Sequence, residues 1–151
     1  MEGAGASLIT IHGRTKKQVY AGQVHYGEIA SAKAAVQIPV IANGGVFCED
    51  DANTLMRETG ADGVMVARAA LFNPQIFCEL TGAESESKRS MFERQMEWTR
   101  QTEDERFTTV FMRKMAAFYC KGERGAAAFK ERLFAAQSPE EIMTIVREMW
   151  Q

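Results

Sequence analysis

The chain has 151 residues, 46% of them hydrophobic, and a formal net charge of −2. That is enough for one domain, or for one and a small second, and it excludes RNA or DNA binding through bulk charge, so any such role needs a local patch. Three widely spaced cysteines, Cys48, Cys78 and Cys120, form no CxxC pair, which argues against a disulfide scaffold or a metal site and fits a reducing cytoplasm, while nothing reads as a signal peptide or as the ~18-residue apolar run of a membrane span.

The first strand is expected over residues 7–11, ending at His12-Gly13-Arg14-Thr15. Residues 15–27 are polar and turn-rich, and Ile29, Ala32 and Val36 recur at helical spacing. Ile38 to Ala42 reads as a buried strand that stops at Asn43-Gly44-Gly45. Two glycines permit positive φ and a close approach of backbone N–H groups to an anion, or they simply make a βα turn. Asp50-Asp51 opens a second helix, with Leu55 and Met56 inward and Gly60 as its stop. A third strand is expected over residues 63–67, then Arg68, Asn73-Pro74 and a short helix to about Leu80. This βαβαβα order predicts a parallel sheet with right-handed crossovers. A closed barrel takes eight strands and roughly 250 residues, and residues 2–6 read as the tail of a helix whose front is missing.

The pattern changes after Thr81-Gly82. Residues 84–90 are charged and serine-rich, and no strand follows. Phe92, Met96 and Thr99 mark one helix; Phe107, Phe111, Met115 and Phe118, at helical spacing, mark a second, ended by Gly122. Residues 126–136 form a third. Ser138-Pro139-Glu140-Glu141 is a capping box opening a fourth, with Ile142, Ile145, Val146 and Met149 on one face. We therefore expect an α/β part over residues 1–82 and a small antiparallel helical bundle over residues 83–151.

In a parallel sheet the ends at His12, Asn43-Gly44-Gly45 and Ala67-Arg68 fall on one side, where α/β folds bind ligands. A glycine loop and a guanidinium fork suit a phosphate. His12 is either a ligand contact or a satisfied hydrogen-bonding group, and Arg14 could be a surface ion pair. Arg68, directly after apolar strand residues, needs a polar partner. Cys48 reads as structural, and Cys78 and Cys120 as core residues. Residues 106–132 carry seven basic and two acidic side chains, a local +5. This is either a solvated helix face or a surface for a phosphate backbone.

Four segments carry a resemblance. Residues 11–15 with Gln18, Tyr20 and Gly22 resemble an HGRT-x-x-Q-x-Y-x-G segment; residues 38–45 resemble IPVIANGD; residues 62–68 through Asn73-Pro74 resemble DGVMIGRG…NP; and Arg113-Lys114 with Tyr119 and Lys121-Gly122 resemble RKH…WYxKG. In this order they are similar to the carboxyl-terminal half of bacterial tRNA-dihydrouridine synthases. Gly45 replaces an acidic residue, Ala67 a glycine, Tyr26 and Phe118 tryptophans, and Met115 a histidine; Ala67 tightens the approach to a phosphate.

The resemblance implies the last three βα units of a partial TIM (βα)8 barrel followed by a helical tRNA-binding domain. It implies FMN, reduced by NADPH, delivering hydride to C6 of a tRNA uridine while a cysteine protonates C5. His12 would contact the flavin, with Asn43, Gly44, Gly45, Ala67 and Arg68 at its phosphate side. Arg113, Lys114 and Lys121 would face tRNA. The segment bearing the catalytic cysteine has no counterpart here, so no catalytic residue is assigned. The chain alone is expected to be inactive and to self-associate or pair with an amino-terminal half. The alternative is a non-catalytic RNA-binding module with a remnant half-barrel.

Overall fold

The structure, a computed structural model, describes residues 1–151. The chain divides into two compact units, Met1–Ala70 with Glu79–Gly82 and Leu71–Cys78 with Ala83–Gln151. No helix is long and apolar enough to cross a membrane.

The first unit holds strands β1 (Ile9–His12), β2 (Val40–Asn43) and β3 (Gly63–Met65), with helices α1 (Tyr26–Ala34) and α2 (Glu49–Thr59) between them. The sheet is parallel in the order β1-β2-β3, with Ile9 opposite Val40, His12 opposite Asn43, and Asn43 opposite Met65. The second strand begins two residues later than expected. Pro39 has no N–H to donate, although its carbonyl accepts from Ile9 N at 3.0 Å. The third strand stops at Met65, short of the expected Ala67, and helix α3 (Arg68–Phe72) begins soon after.

Alternation along the strands separates two faces. Val40 and Ala42 are fully buried and pack with Ile29 of α1, and with Ala52 and Leu55 of α2. Burying a side chain such as Leu55 contributes about 1.5–3 kcal/mol. Thr10, His12 and Met65 are exposed on the other face. Gly60 ends α2 in the left-handed region, φ 64°, its N–H donating to the Met56 carbonyl at 2.9 Å. Asp62 then ties the unit together: its carboxylate accepts from Lys33 Nζ and from Val40 N, each at 2.7 Å. The lysine first, then the backbone N–H, holds this carboxyl below its ordinary range.

In the second unit α5 (Lys88–Thr102), α6 (Glu105–Tyr119), α7 (Ala126–Ala135) and α8 (Pro139–Met149) pack about one core containing Phe92, Met96, Met112, Leu133, Ile142 and Val146. Helix α4 (Ile76–Thr81) belongs to this unit through Cys78 and to the first from Glu79. Side-chain caps start three of them. Ser87 Oγ accepts from Ser90 N, Asp104 from Phe107 N, and Ser138 Oγ from Glu141 N. The reciprocal bond expected of a capping box goes one residue earlier, from Gln137 N to the Glu141 carboxylate.

Of the four residues expected to mark α6, Met115 is buried and Phe111 and Phe118 pack partly buried against the same core; only Phe107 departs. Thr108, Thr109, Met112, Met115, Ala116 and Tyr119 are buried, whereas Phe107 is 47% exposed and stacks on Phe111 along the flank. Thr108 and Ala116 are small and fully buried, and Tyr119 is a buried ring beside them, so the face combines small and large side chains. Cys120 is buried as expected; Cys78 is only half-buried, and Cys48 is exposed at the start of α2.

Candidate functional site

The loop from Gly13 to His25 returns to its own start. Gly13 N donates to the Asn43 carbonyl at 2.9 Å, and His25 N donates to the Gly13 carbonyl at 2.7 Å. Gly13 leaves no room for a side chain, since a Cβ would stand 2.4 Å from Val24 Cγ1 and force a shift. Inside the loop Gln18 Oε1 accepts from Thr15 N, Thr15 Oγ1 and His25 Nε2, at 2.8, 3.1 and 3.0 Å. Through these bonds Thr15 and Gln18 fold residues 15–22 over the end of β1. Val19 sits at φ 49°, uncommon for a β-branched residue.

The loop closes one side of a cavity of about 410 Å³ at the carboxyl ends of the strands. His12, Asn43, Gly44, Gly45, Ala67 and Arg68, which lie far apart in sequence, all line it. The volume falls in the usual range for small-molecule sites, about 300–1,000 Å³. His12 Nδ1 lies 2.6 Å from Asn43 Oδ1, and Asn43 Nδ2 donates to the Met65 carbonyl at 2.8 Å. A carbonyl can only accept, so the Asn43 amide is oriented and its Oδ1 accepts a hydrogen bond from His12 Nδ1–H. Nε2 is then the ring nitrogen left for other partners.

Gly44 and Gly45 turn the chain at φ 136° and 75°. A Cβ on Gly44 would meet Val24 Cγ2 at 3.2 Å, so loop and turn are packed tightly. Arg14, Lys16 and Arg68 line the cavity, and no carboxylate does. Arg68 lies with its guanidinium 4.1 Å from the Tyr20 ring centre and 5.7 Å from that of Phe47. This cation–π clamp holds the group without neutralising it.

Arg14 was open to reading as a surface ion pair. Instead its Nε donates to the Gly22 carbonyl at 3.2 Å, and its Nη1 is buried with no protein partner. Besides the six expected residues, the charged and aromatic side chains of Arg14, Lys16, Tyr20 and Phe47 line the cavity, as do Thr15, Val19, Val46 and Met65. Arg14 and Tyr20 fell within a matched segment, but only the folded loop brings them to the cavity.

The three basic residues singled out in the second unit separate. Arg113 Nη1 donates to the carbonyls of Phe134 and Ala136 at 3.1 and 3.2 Å, at the end of α7. Lys121 Nζ lies 3.8 Å from the Phe72 ring centre and Lys114 Nζ 5.9 Å from that of Phe118; the two rings meet edge to face. Lys114 and Lys121 are exposed. Elsewhere charge is paired locally: Arg132 with Glu148 at 2.6 Å, and Lys88 with Glu123 at 2.5 Å. Tyr119, in the same matched segment, is a core residue whose hydroxyl donates to Gln95 Oε1 at 2.8 Å.

A family model described as Dihydrouridine synthase (Dus) matches residues 1–150. Among curated proteins, the chain is 38% identical over 154 residues to "Probable tRNA-dihydrouridine synthase 1" of Synechocystis sp., covering 93% of this chain and 42% of that protein. It is 34% identical over 154 residues to "tRNA-dihydrouridine synthase B" of Xanthomonas campestris pv. campestris, covering 95% and 46%. The protein of that same name from Xanthomonas axonopodis pv. citri is 49% identical over 76 residues, covering 50% and 23%. The chain thus spans less than half the length of each of these relatives.

Proposed function

The chain belongs to the dihydrouridine synthase family, and from that premise we propose that its first unit holds the phosphate end of FMN and that it serves the reduction of the uridine C5–C6 double bond in tRNA. The observation that carries the reading is the cationic cavity: three basic side chains, a glycine turn and no carboxylate at the ends of three parallel strands. The residues fit the group. A dianionic phosphate would meet Arg68 and the Asn43-Gly44-Gly45 turn, with the Ala67 methyl beside it. His12 Nε2, set free by the bond from Nδ1 to Asn43, is placed to meet the flavin itself. Bound FMN, recharged by NADPH, would supply hydride chemistry.

The three βα units are read as part of a (βα)8 barrel over residues 1–82, followed by a helical tRNA-binding domain over residues 83–151. In that domain Lys114 and Lys121 offer the exposed charge for tRNA phosphates, and Arg113 is divided between tRNA and the end of α7. Edge strands β1 and β3 and the uncovered sheet face favour self-association or pairing with an amino-terminal half. The three cysteines are unpaired, which suits the cytoplasm.

None of those cysteines lines the cavity. The general acid that the family places near C5 is therefore not among the residues gathered here. We expect the 151-residue chain to bind FMN and not to turn over by itself. The same observation favours a second reading, a non-catalytic RNA-binding module with a remnant half-barrel. Flavin binding decides between them. The purified chain titrated with FMN should perturb the flavin absorbance band, and Arg68→Ala should loosen binding by about one to two orders of magnitude, the effect of losing one charge-assisted hydrogen bond. A wild-type chain that leaves the band unchanged favours the remnant.

A further inference from the structure

We infer that Arg14 is a phosphate-binding residue, its buried Nη1–H donating to a phosphate monoester seated over the Gly44–Gly45 turn. The inference deepens the flavin reading, and rests on it only for the identity of the molecule that carries the phosphate.

Four observations converge. The bond from Nε to the Gly22 carbonyl holds the guanidinium on the inner side of the loop. Its Nη1 lies 3.7 Å from the point where a Cβ on Gly44 would stand, and its Nη2 3.9 Å from the equivalent point on Gly45, so the fork runs along the turn. Nη1 is buried and donates to no protein atom, a costly arrangement for a charged donor unless an acceptor arrives with the ligand. The protein offers no compensating carboxylate among the cavity residues, which include Lys16 and Arg68. A doubly charged tetrahedral group, with acceptors in several directions, answers that set of donors better than a singly charged planar one.

The loop then has a defined purpose. Residues 15–22, knotted by Gln18, brace Arg14 through Gly22 and Arg68 through Tyr20. Both guanidinium groups are held near the turn before the ligand arrives, which lowers the ordering cost of binding, and a small shift of the loop opens Nη1 to the phosphate oxygen.

The test is calorimetric titration of the full 151-residue chain, wild type and Arg14→Gln, with inorganic phosphate, FMN, riboflavin and the phosphodiester UpU. Wild type should bind phosphate and FMN, bind riboflavin more weakly than FMN, and bind UpU at least tenfold more weakly than phosphate. Arg14→Gln should weaken phosphate and FMN by about tenfold to a hundredfold and leave riboflavin alone. Since the substitution also removes the bond to Gly22, a second readout uses wild type only: the Arg14 Nε–Hε NMR signal should shift on adding phosphate. An unmoved signal at saturating phosphate, equal affinities of the two chains for phosphate, tighter UpU than phosphate, or no phosphate binding at all overturns the inference. Equal affinity for FMN and riboflavin overturns it while leaving the flavin reading in place. Phosphate binding with neither flavin bound sustains it and removes the flavin reading.

Discussion

His12 and Asn43 face each other across β1 and β2, and their side chains are joined at 2.6 Å by a bond whose direction is set by the Met65 carbonyl on β3. One amide therefore ties the ends of all three strands together and presents His12 Nε2 to the cavity. Asn43→Ala removes both bonds. At this half-exposed position the cost should be about 1 kcal/mol, read as a lower urea midpoint with an unchanged slope. A midpoint equal to wild type would mean that water replaces the amide without loss.

Gly13 is expected to be the least replaceable glycine of the site. An added Cβ would stand 2.4 Å from Val24 Cγ1 and 3.0 Å from Ile29 Cδ1, which is fully buried with its residue. Gly13→Ala should cost roughly 1–3 kcal/mol through overpacking and displace residues 13–25. Gly3→Ala, where nothing lies within 4 Å, is the control. Equal melting temperatures for the two variants would show that the loop yields freely.

Asp62 should contribute to the acid limb of stability. Its folded carboxyl sits below its ordinary range because Lys33, and then Val40 N–H, favour the charged form. The folded chain therefore binds fewer protons than the unfolded one as the group titrates. The contribution is complete above the unfolded value and is lost as pH falls through the lower folded one. Asp62→Asn should flatten that part of the stability–pH curve relative to wild type and leave its shape near neutrality unchanged. Parallel curves through the acid range would contradict the assignment.

The positions of the strands were legible because short apolar runs give way to polar or glycine residues, at His12-Gly13, at Asn43-Gly44 and at Arg68, which two residues separate from the end of β3, although the exact ends were not. The lining set His12, Asn43, Gly44, Gly45, Ala67 and Arg68 was legible for the same reason, since a parallel sheet brings its carboxyl ends together. Arg14 and Tyr20 were not assigned, because their placement depends on Gln18 gathering three donors and on Val24 packing against Gly13 and Gly44. Neither relation has a period along the chain. On α6 only Phe107 departs from the expected marks: it is large and apolar, yet it lies in the first turn and stacks on Phe111, 47% exposed.

For RNA, the separation of the basic residues makes distinct predictions. Replacing Lys114 and Lys121 with glutamine should weaken tRNA binding and lower the salt slope by up to about 0.9 for each phosphate no longer neutralised, with the fold intact. Arg113→Gln should also lower the melting temperature, because it leaves the carbonyls of Phe134 and Ala136 without their donor. Unchanged tRNA affinity and salt slope in the double lysine variant would remove this face from the RNA surface.

FMN held by its phosphate in the proposed site would touch the backbone at the ends of β2 and β3. The most direct measurement is an FMN titration of the isotopically labelled chain followed by backbone amide NMR. The largest shifts should fall on Gly44, Gly45, Ala67 and Arg68, and riboflavin at equal concentration should produce them only weakly. Saturable FMN binding whose largest shifts lie elsewhere, or no shift at these four amides at any flavin concentration, would contradict it.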